Sequence, residues 1–121
     1  MKKILIVEDE LIPAKLLQTL LKKEGYVVLE IIKTGESAVE FTKSFIPDLI
    51  LMDIRLQGEM DGIDAMNAIR KFSDVPVIYV TGNSDSKTKS RAEETKASGY
   101  FVKPYDSNYL IDAVKKIFSI I

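Results

Sequence analysis

The stretch Pro47-Asp48-Leu49-Ile50-Leu51-Met52-Asp53 decides the fold. Four consecutive apolar residues, Leu49 to Met52, stand between aspartates. A run this short and this uniformly apolar predicts a strand buried on both faces, in the middle of a parallel sheet. Asp53 then falls at the carboxyl end of the strand, where open α/β sheets place their ligands. The stretch from Lys2 to Asp9 has the same shape, with Leu5, Ile6 and Val7 running into Glu8 and Asp9. Two strands that meet acids at the same end imply an acidic pocket between them.

Outward from these two strands, apolar runs and helical patterns alternate along the whole chain. The first strand is expected at about Lys3–Glu8. Leu11, Ala14, Leu17, Leu20 and Leu21 then recur at helical spacing opposite Lys15, Gln18, Lys22 and Lys23. Pro13 fits a first helical turn, and Gly25 stops the helix. Tyr26–Ile31 reads as the second strand. Thr34 caps a helix through Ala38, Phe41, Thr42 and Phe45. After the third strand, Asp48–Asp53, comes a loop over Leu56–Met60. Asp61 opens a helix carrying Ile63, Met66 and Ile69. Pro76–Val80 is the fourth strand. Ser84–Ser98 forms a fourth helix with only Ala92 and Ala97 as apolar anchors. Gly99–Val102 is the fifth strand, and a last helix from about Asp106 carries Leu110, Val114, Ile117 and Ile121.

Five such βα units imply an α/β doubly wound, five-stranded parallel sheet with right-handed crossovers and helices on both faces. The most apolar strands, the first, third and fourth, belong in the centre. That gives the flavodoxin-like order 2-1-3-4-5, with its switch point between the first and third strands. Glu8, Asp9 and Asp53 converge there.

Bulk composition narrows the function. The 121 residues are 46% hydrophobic, which suits one ordinary domain with a real core. A net charge of −1 gives no argument for nucleic acid. With no cysteine and no histidine, thiol chemistry, thiolate zinc sites, a Ser-His-Asp triad and a phosphohistidine on this chain are all excluded. The apolar run after Met1-Lys-Lys is too short for a signal-peptide core, and no stretch is long enough to span a bilayer. A cytoplasmic protein without membrane or direct nucleic-acid partners is the expectation.

The strand ends together carry the chemistry: Glu8 and Asp9, Asp53, Thr81, and Lys103 before Pro104. Three carboxylates a few ångströms apart repel by about 4 kcal/mol per pair at an effective dielectric of about 20. They need a proton, a lysine or a divalent cation. An all-oxygen donor set favours a hard ion, and a small open acidic site favours Mg2+. A carboxylate nucleophile, Mg2+, a hydroxyl and a lysine make a phosphoryl-transfer site. Taken singly, each residue has a plainer explanation: acids and threonines at strand ends cap helices, and Lys-Pro ends a strand. Their joint placement on four strand ends favours the chemical reading.

In the order and spacing of these residues the chain resembles a response-regulator receiver domain of two-component signal transduction, over essentially residues 1–121. The matching pieces are Glu8-Asp9, Asp53 after Asp48-Leu-Ile-Leu-Met, Met60-Asp61-Gly62, Thr81, Tyr100 and Lys103-Pro104. The resemblance implies a phosphoacceptor switch rather than an enzyme acting on other substrates. Asp53 accepts a phosphoryl group from the phosphohistidine of a histidine kinase or phosphotransfer protein. Glu8, Asp9, Asp53 and the backbone carbonyl of Arg55 hold Mg2+. Thr81 bonds a phosphoryl oxygen, Lys103 pairs with the phosphoryl group, and Tyr100 turns inward as an aromatic switch. The output face comprises the fourth helix, fifth strand and fifth helix. Without the resemblance, Tyr100 reads as a half-buried edge-strand tyrosine.

The chain departs from the family pattern after Asp53, where Ile-Arg-Leu-Gln-Gly-Glu-Met-Asp-Gly is one residue longer than usual and lacks the usual proline. This leaves Asp53 in place but bears on the path of the Arg55 carbonyl. Gly82 follows Thr81 and leaves the site open. A haloacid-dehalogenase-like phosphatase needs a second aspartate where Arg55 stands. A flavin module needs a Ser/Thr/Gly-rich phosphate loop where Glu8-Asp9-Glu10 stands. A receiver that works unphosphorylated, as an interaction module, needs none of the complete residue set. The kinase, the signal and the output partner have no mark in the sequence.

Overall fold

In the computed structural model, which describes residues 1–120, the elements alternate as β1 (Lys3–Val7), α1 (Leu11–Lys23), β2 (Val27–Ile32), α2 (Gly35–Ser44), β3 (Leu49–Met52), α3 (Gly62–Ile69), β4 (Val77–Thr81), α4 (Ser86–Glu93), β5 (Gly99–Val102) and α5 (Ser107–Ile120). The strands form one parallel sheet in the order β2-β1-β3-β4-β5. This is the flavodoxin-like architecture expected from the alternation. Ile121, expected to extend the apolar stripe of the last helix, lies outside the described residues.

Alternation along the strands divides the core in two. Leu5, Val7, Ile50, Met52, Val77 and Tyr79 face one side, where Ala38, Val39, Ile63, Met66 and Ile69 of α2 and α3 meet them. Ile4, Ile6, Leu49, Leu51, Ile78 and Val80 face the other, against Ala14, Leu17 and Leu21 of α1 and Leu110, Ile111 and Val114 of α5. Both faces of β1, β3 and β4 are covered, which is why these strands are apolar except at Lys3, where β1 begins, and Thr81, where β4 ends. Each such Leu or Ile contributes about 1.5–3 kcal/mol by leaving water.

Helix ends follow local chemistry. The Thr34 hydroxyl accepts from the Ser37 amide. Asp61 and Asp64 form a reciprocal capping box, worth about 1 kcal/mol. Some expectations shift. Leu11, placed on the buried stripe of α1, is exposed, because it opens the helix at the rim of the sheet. Phe45 is exposed too: α2 ends at Ser44, and Phe45 leaves the helical path at φ −130° while its ring stays against Phe41. Thr81 is the last residue of β4 rather than the residue after it, and α4 is shorter than Ser84–Ser98, beginning after an Asp85 cap.

Candidate functional site

The carboxyl ends of β1, β3, β4 and β5 bring the site together. The Asp53 amide donates to the Val7 carbonyl, which carries the β1–β3 ladder one residue past the strand and fixes the aspartate at its mouth. Asp53 is only 7% exposed. Its Oδ1 accepts from the Ile54 amide at 2.7 Å, and its Oδ2 accepts from Lys103 Nζ at 3.1 Å. The Lys103 amide donates to the Thr81 carbonyl, so the β4–β5 pairing aims the lysine at β3. The peptide bond between Lys103 and Pro104 is cis.

Behind Asp53, Gly62 presses against the Asp53 backbone carbonyl, and its amide donates to the Ile54 carbonyl at 2.7 Å. A Cβ at this position would collide with the Asp53 carbonyl and the Met52 side chain. The glycine that opens α3 therefore sets how closely the helix seats under the aspartate. Gly82 is the opposite case, since a Cβ there meets nothing within 4 Å.

A cavity of about 650 Å³ opens over these groups, lined by Asp9, Asp53, Arg55, Thr81, Gly82, Asn83, Lys103 and neighbouring polar residues. Glu8 lines an adjoining, more apolar groove of about 580 Å³ between α1 and the β5–α5 turn, and Asp53 and Lys103 border both. Lys103 Nζ reaches Glu8 Oε1 at 2.5 Å, and the Glu10 amide donates to Glu8 Oε2. Burial pushes the Glu8 carboxyl up, against the pull of the Lys103 hydrogen bond. Burial also opposes the charge on Lys103, but the carboxylates of Glu8 and Asp53 outweigh it and hold its pKa above the ordinary lysine value. Lys103 thus stays charged at neutral pH.

Carboxylate oxygens of Glu8, Asp9 and Glu10 lie within 4.8 Å of one another. With Asp9 and Asp53 opening on one cavity, the all-oxygen set fits a hard divalent ion such as Mg2+. The expected ligands do not present themselves equally. Asp9 and Asp53 face the main cavity, Arg55 lines it, and Glu8 is engaged by Lys103. Glu10, not singled out in the sequence, joins the cluster because it follows Asp9 directly at the start of α1.

Tyr100 is half-buried on β5. Its hydroxyl donates to the Asn83 carbonyl at 2.8 Å, and the Asn83 amide donates to Thr81 Oγ1 at 3.3 Å. Asn83 therefore joins Thr81 to Tyr100 through the β4–α4 loop. The long loop after Asp53 docks on the start of α2, with Gln57 bridged to Thr34 and the Glu59 amide donating to Glu36 Oε2. The loop turns at Gly58, whose φ of +91° suits glycine. Glu36 gave no sign of this role, since the contact spans 23 positions.

The response regulator receiver domain family model matches residues 4–115, and the chain belongs to that family. Among curated proteins it is similar to the transcriptional regulatory protein PdtaR of Mycobacterium tuberculosis, 33% identical over 114 residues, covering 94% of this chain and 55% of that protein. It is likewise similar to the transcriptional regulatory protein BaeR of Escherichia coli, 35% identical over 115 residues, covering 95% of this chain and 47% of that protein. The chain spans about half the length of the curated relatives it matches. A solved N-terminal domain of a response regulator/sensory box/GGDEF 3-domain protein from Carboxydothermus hydrogenoformans superposes with a TM-score of 0.89 at 40% identity, covering 98% of this chain and 95% of that one. A two-component response regulator from Clostridium difficile gives a TM-score of 0.91 at 25% identity, covering 98% and 97%. This is a receiver domain of two-component signalling, a class of signalling module whose general partner is a histidine kinase. None of its described helices is long and apolar enough to cross a membrane.

Proposed function

We propose that this receiver is a phosphorylation switch in which Asp53 takes a phosphoryl group from the phosphohistidine of a histidine kinase or phosphotransfer protein. The observation that carries the reading is the setting of Asp53: a buried carboxylate at the switch point, oriented by the Ile54 amide, paired with Lys103 and opening on a polar cavity. A carboxylate oxygen attacks phosphorus as the bond from phosphorus to the histidine nitrogen breaks, and Asp53 becomes an acyl phosphate. Lys103 holds its ammonium where charge collects on the phosphoryl oxygens. Glu8, Asp9, Asp53 and the Arg55 carbonyl would hold Mg2+, which when bound neutralises further phosphoryl charge.

Thr81 then turns its hydroxyl from the Asn83 amide toward a phosphoryl oxygen. The loop it leaves carries the Asn83 carbonyl that holds Tyr100. Freed from that acceptor, Tyr100 turns inward, and the face made by α4, β5 and α5 changes shape for an output partner. Val102 and Tyr109 are exposed on this face. The test is incubation with Mg2+ and a small acyl-phosphate donor, followed by intact mass. A single phosphoryl increment, dependent on Mg2+ and lost in Asp53→Asn, is expected; the same increment in Asp53→Asn would overturn the assignment.

A further inference from the structure

Tyr79 belongs to none of the groups that meet a phosphate, yet it places a hydroxyl in the core. It is fully buried on β4 and bonded to Thr95 Oγ1 at 2.7 Å. Thr95, also buried, spends its one hydroxyl proton on the Ala92 carbonyl at 2.6 Å. The phenol must therefore be the donor to Thr95, and the bonds run in one direction, from Tyr79 to Thr95 to Ala92. The Thr95 carbonyl in turn accepts from Arg70 Nε, whose guanidinium also binds the Val75 carbonyl. The C-terminal end of α4 is thus held by β4 through buried bonds and by the residue after α3 through part-buried ones.

The other end of α4 has a different character. Asp85 caps its own helix at the surface. Lys89 lies over the Tyr100 ring at 6.0 Å. Arg91, in the last turn beside the pinned end, reaches Asp61 and Asp64 at 3.4 and 3.6 Å; these side chains are 31–47% exposed, so the pairs add little to the buried bonds there. A helix pinned at one end by buried bonds and loosely held at the other swings about the pinned end. Tyr100 touches both ends of this lever. Its hydroxyl holds the Asn83 carbonyl, just before the loose end, and its ring lies 6.1 Å from the Tyr79 ring at 45°.

We infer that the Tyr79–Thr95 hydroxyl pair is the pivot on which α4 moves, and that Tyr79 is a positioning residue coupling this pivot to the Tyr100 ring. The inference rests on the reading of Tyr100 and Thr81 as the switch. It extends that reading by stating where α4 stays fixed and where it moves.

The test is amide hydrogen exchange on the whole chain for wild type, Tyr79→Phe, Thr95→Val and Thr95→Ser, with and without Mg2+ and an acyl-phosphate donor. Tyr79→Phe keeps the ring, and Thr95 keeps its bond to Ala92, so this variant folds. Without donor, exchange at residues 92–96 is expected to speed by about tenfold in Tyr79→Phe and Thr95→Val, with strand amides within about twofold of wild type. Thr95→Ser, which retains the hydroxyl, should match wild type, and the Tyr100 ring resonances should shift in Tyr79→Phe. With donor, the wild-type change should fall on residues 85–91 and spare 92–96. Unchanged exchange at 92–96 in both variants, or acceleration spread evenly over all strands, would show an ordinary core bond and overturn the pivot. A donor response of wild type centred on 92–96 would do the same. Intact mass separates the two readings: if no phosphoryl group is added to wild type, the assignment of Asp53 fails, while the donor-free arm still decides the pivot.

Discussion

The Lys103 ammonium lies 3.1 Å from Asp53 Oδ2, the oxygen that the Ile54 amide leaves free. The same ammonium holds Glu8, so one cation balances two buried carboxylates. Replacing it with an apolar side chain leaves both charges uncompensated. Lys103→Met should therefore destabilise the fold by about 2 kcal/mol, below the usual cost of breaking a fully buried pair because the lysine is partly exposed. Millimolar Mg2+ should recover part of that loss. Urea titrations with and without the ion check both statements.

In the wild type, Mg2+ bound at the proposed site would relieve repulsion that folding concentrates and unfolding disperses. At ten times its dissociation constant, an ion bound only to the native state adds about 1.4 kcal/mol, or roughly 5 °C in a domain of this size. Thermal melts should show the rise in wild type and lose most of it in Asp9→Asn and Asp53→Asn. An equal rise in all three would place the ion elsewhere.

Alkaline stability should depend on Tyr79. Burial, only partly offset by the bond to Thr95, pushes its pKa up from 10.0 to about 12. A phenol whose folded pKa lies above its unfolded value contributes fully below pH 10 and loses that contribution as pH rises toward 12, because the unfolded chain ionises first. The limit of the effect is about 3 kcal/mol. Lys103, also raised, adds a loss of the same sign above the ordinary lysine pKa. Denaturant midpoints from pH 8 to 11.5 should fall less steeply for Tyr79→Phe than for wild type.

Two backbone positions predict opposite responses. Gly62→Ala forces a methyl into the Asp53 carbonyl, so it should destabilise by about 2–3 kcal/mol and slow phosphorylation by tilting the aspartate. Lys96 adopts φ +61° without being glycine. Lys96→Gly should stabilise by about 0.5 kcal/mol, the relief of a left-handed side chain less the entropy that glycine adds to the unfolded chain. Its ion pair with Asp74 is exposed and offsets little. Denaturation midpoints of the two variants should move to opposite sides of wild type.

Arg55 is exposed at the edge of the cavity over Asp53. Its long cationic chain can cover the phosphoryl oxygens and crowd an in-line water, and Gly82 offers no shield of its own. Arg55→Ala should lose its phosphoryl group several-fold faster than wild type. Asn83 already commits its side-chain oxygen to the Asp85 amide, leaving its NH2 group to orient a water or a phosphoryl oxygen; Asn83→Ala should lose the group more slowly. Dephosphorylation rates of purified phosphoprotein in Mg2+ check both. A wild-type or longer lifetime in Arg55→Ala would reduce Arg55 to a solvated charge or a contact for the kinase.

The strand-end acids were legible because they interrupt uniformly apolar runs, and the sheet order followed from which strands are the most apolar. Local caps at Thr34 and Asp61 were legible for the same reason: each acts within three residues. The Tyr79–Thr95 pair was not, since the two hydroxyls lie 16 positions apart on elements of different period. Asp85 lies in a run so polar that its capping role does not stand out, and the helix expected over Ser84–Ser98 therefore overruns both ends of α4. Lys96, held in the left-handed region where glycine is usual, gave no stop signal at the end of that helix. The docking of the loop after Asp53 on Glu36 is likewise non-local.

Chemical trapping is the sharpest test of the assignment of the phosphoryl group to Asp53. Borohydride reduces an acyl phosphate to an alcohol, so an aspartyl phosphate at position 53 becomes homoserine. After treatment with Mg2+ and an acyl-phosphate donor, then reduction and proteolysis, fragment masses should place homoserine at position 53 and leave Asp9, Asp48 and Asp61 as aspartate. Homoserine at another aspartate, or at none while the intact protein carries the phosphoryl mass, would contradict the assignment.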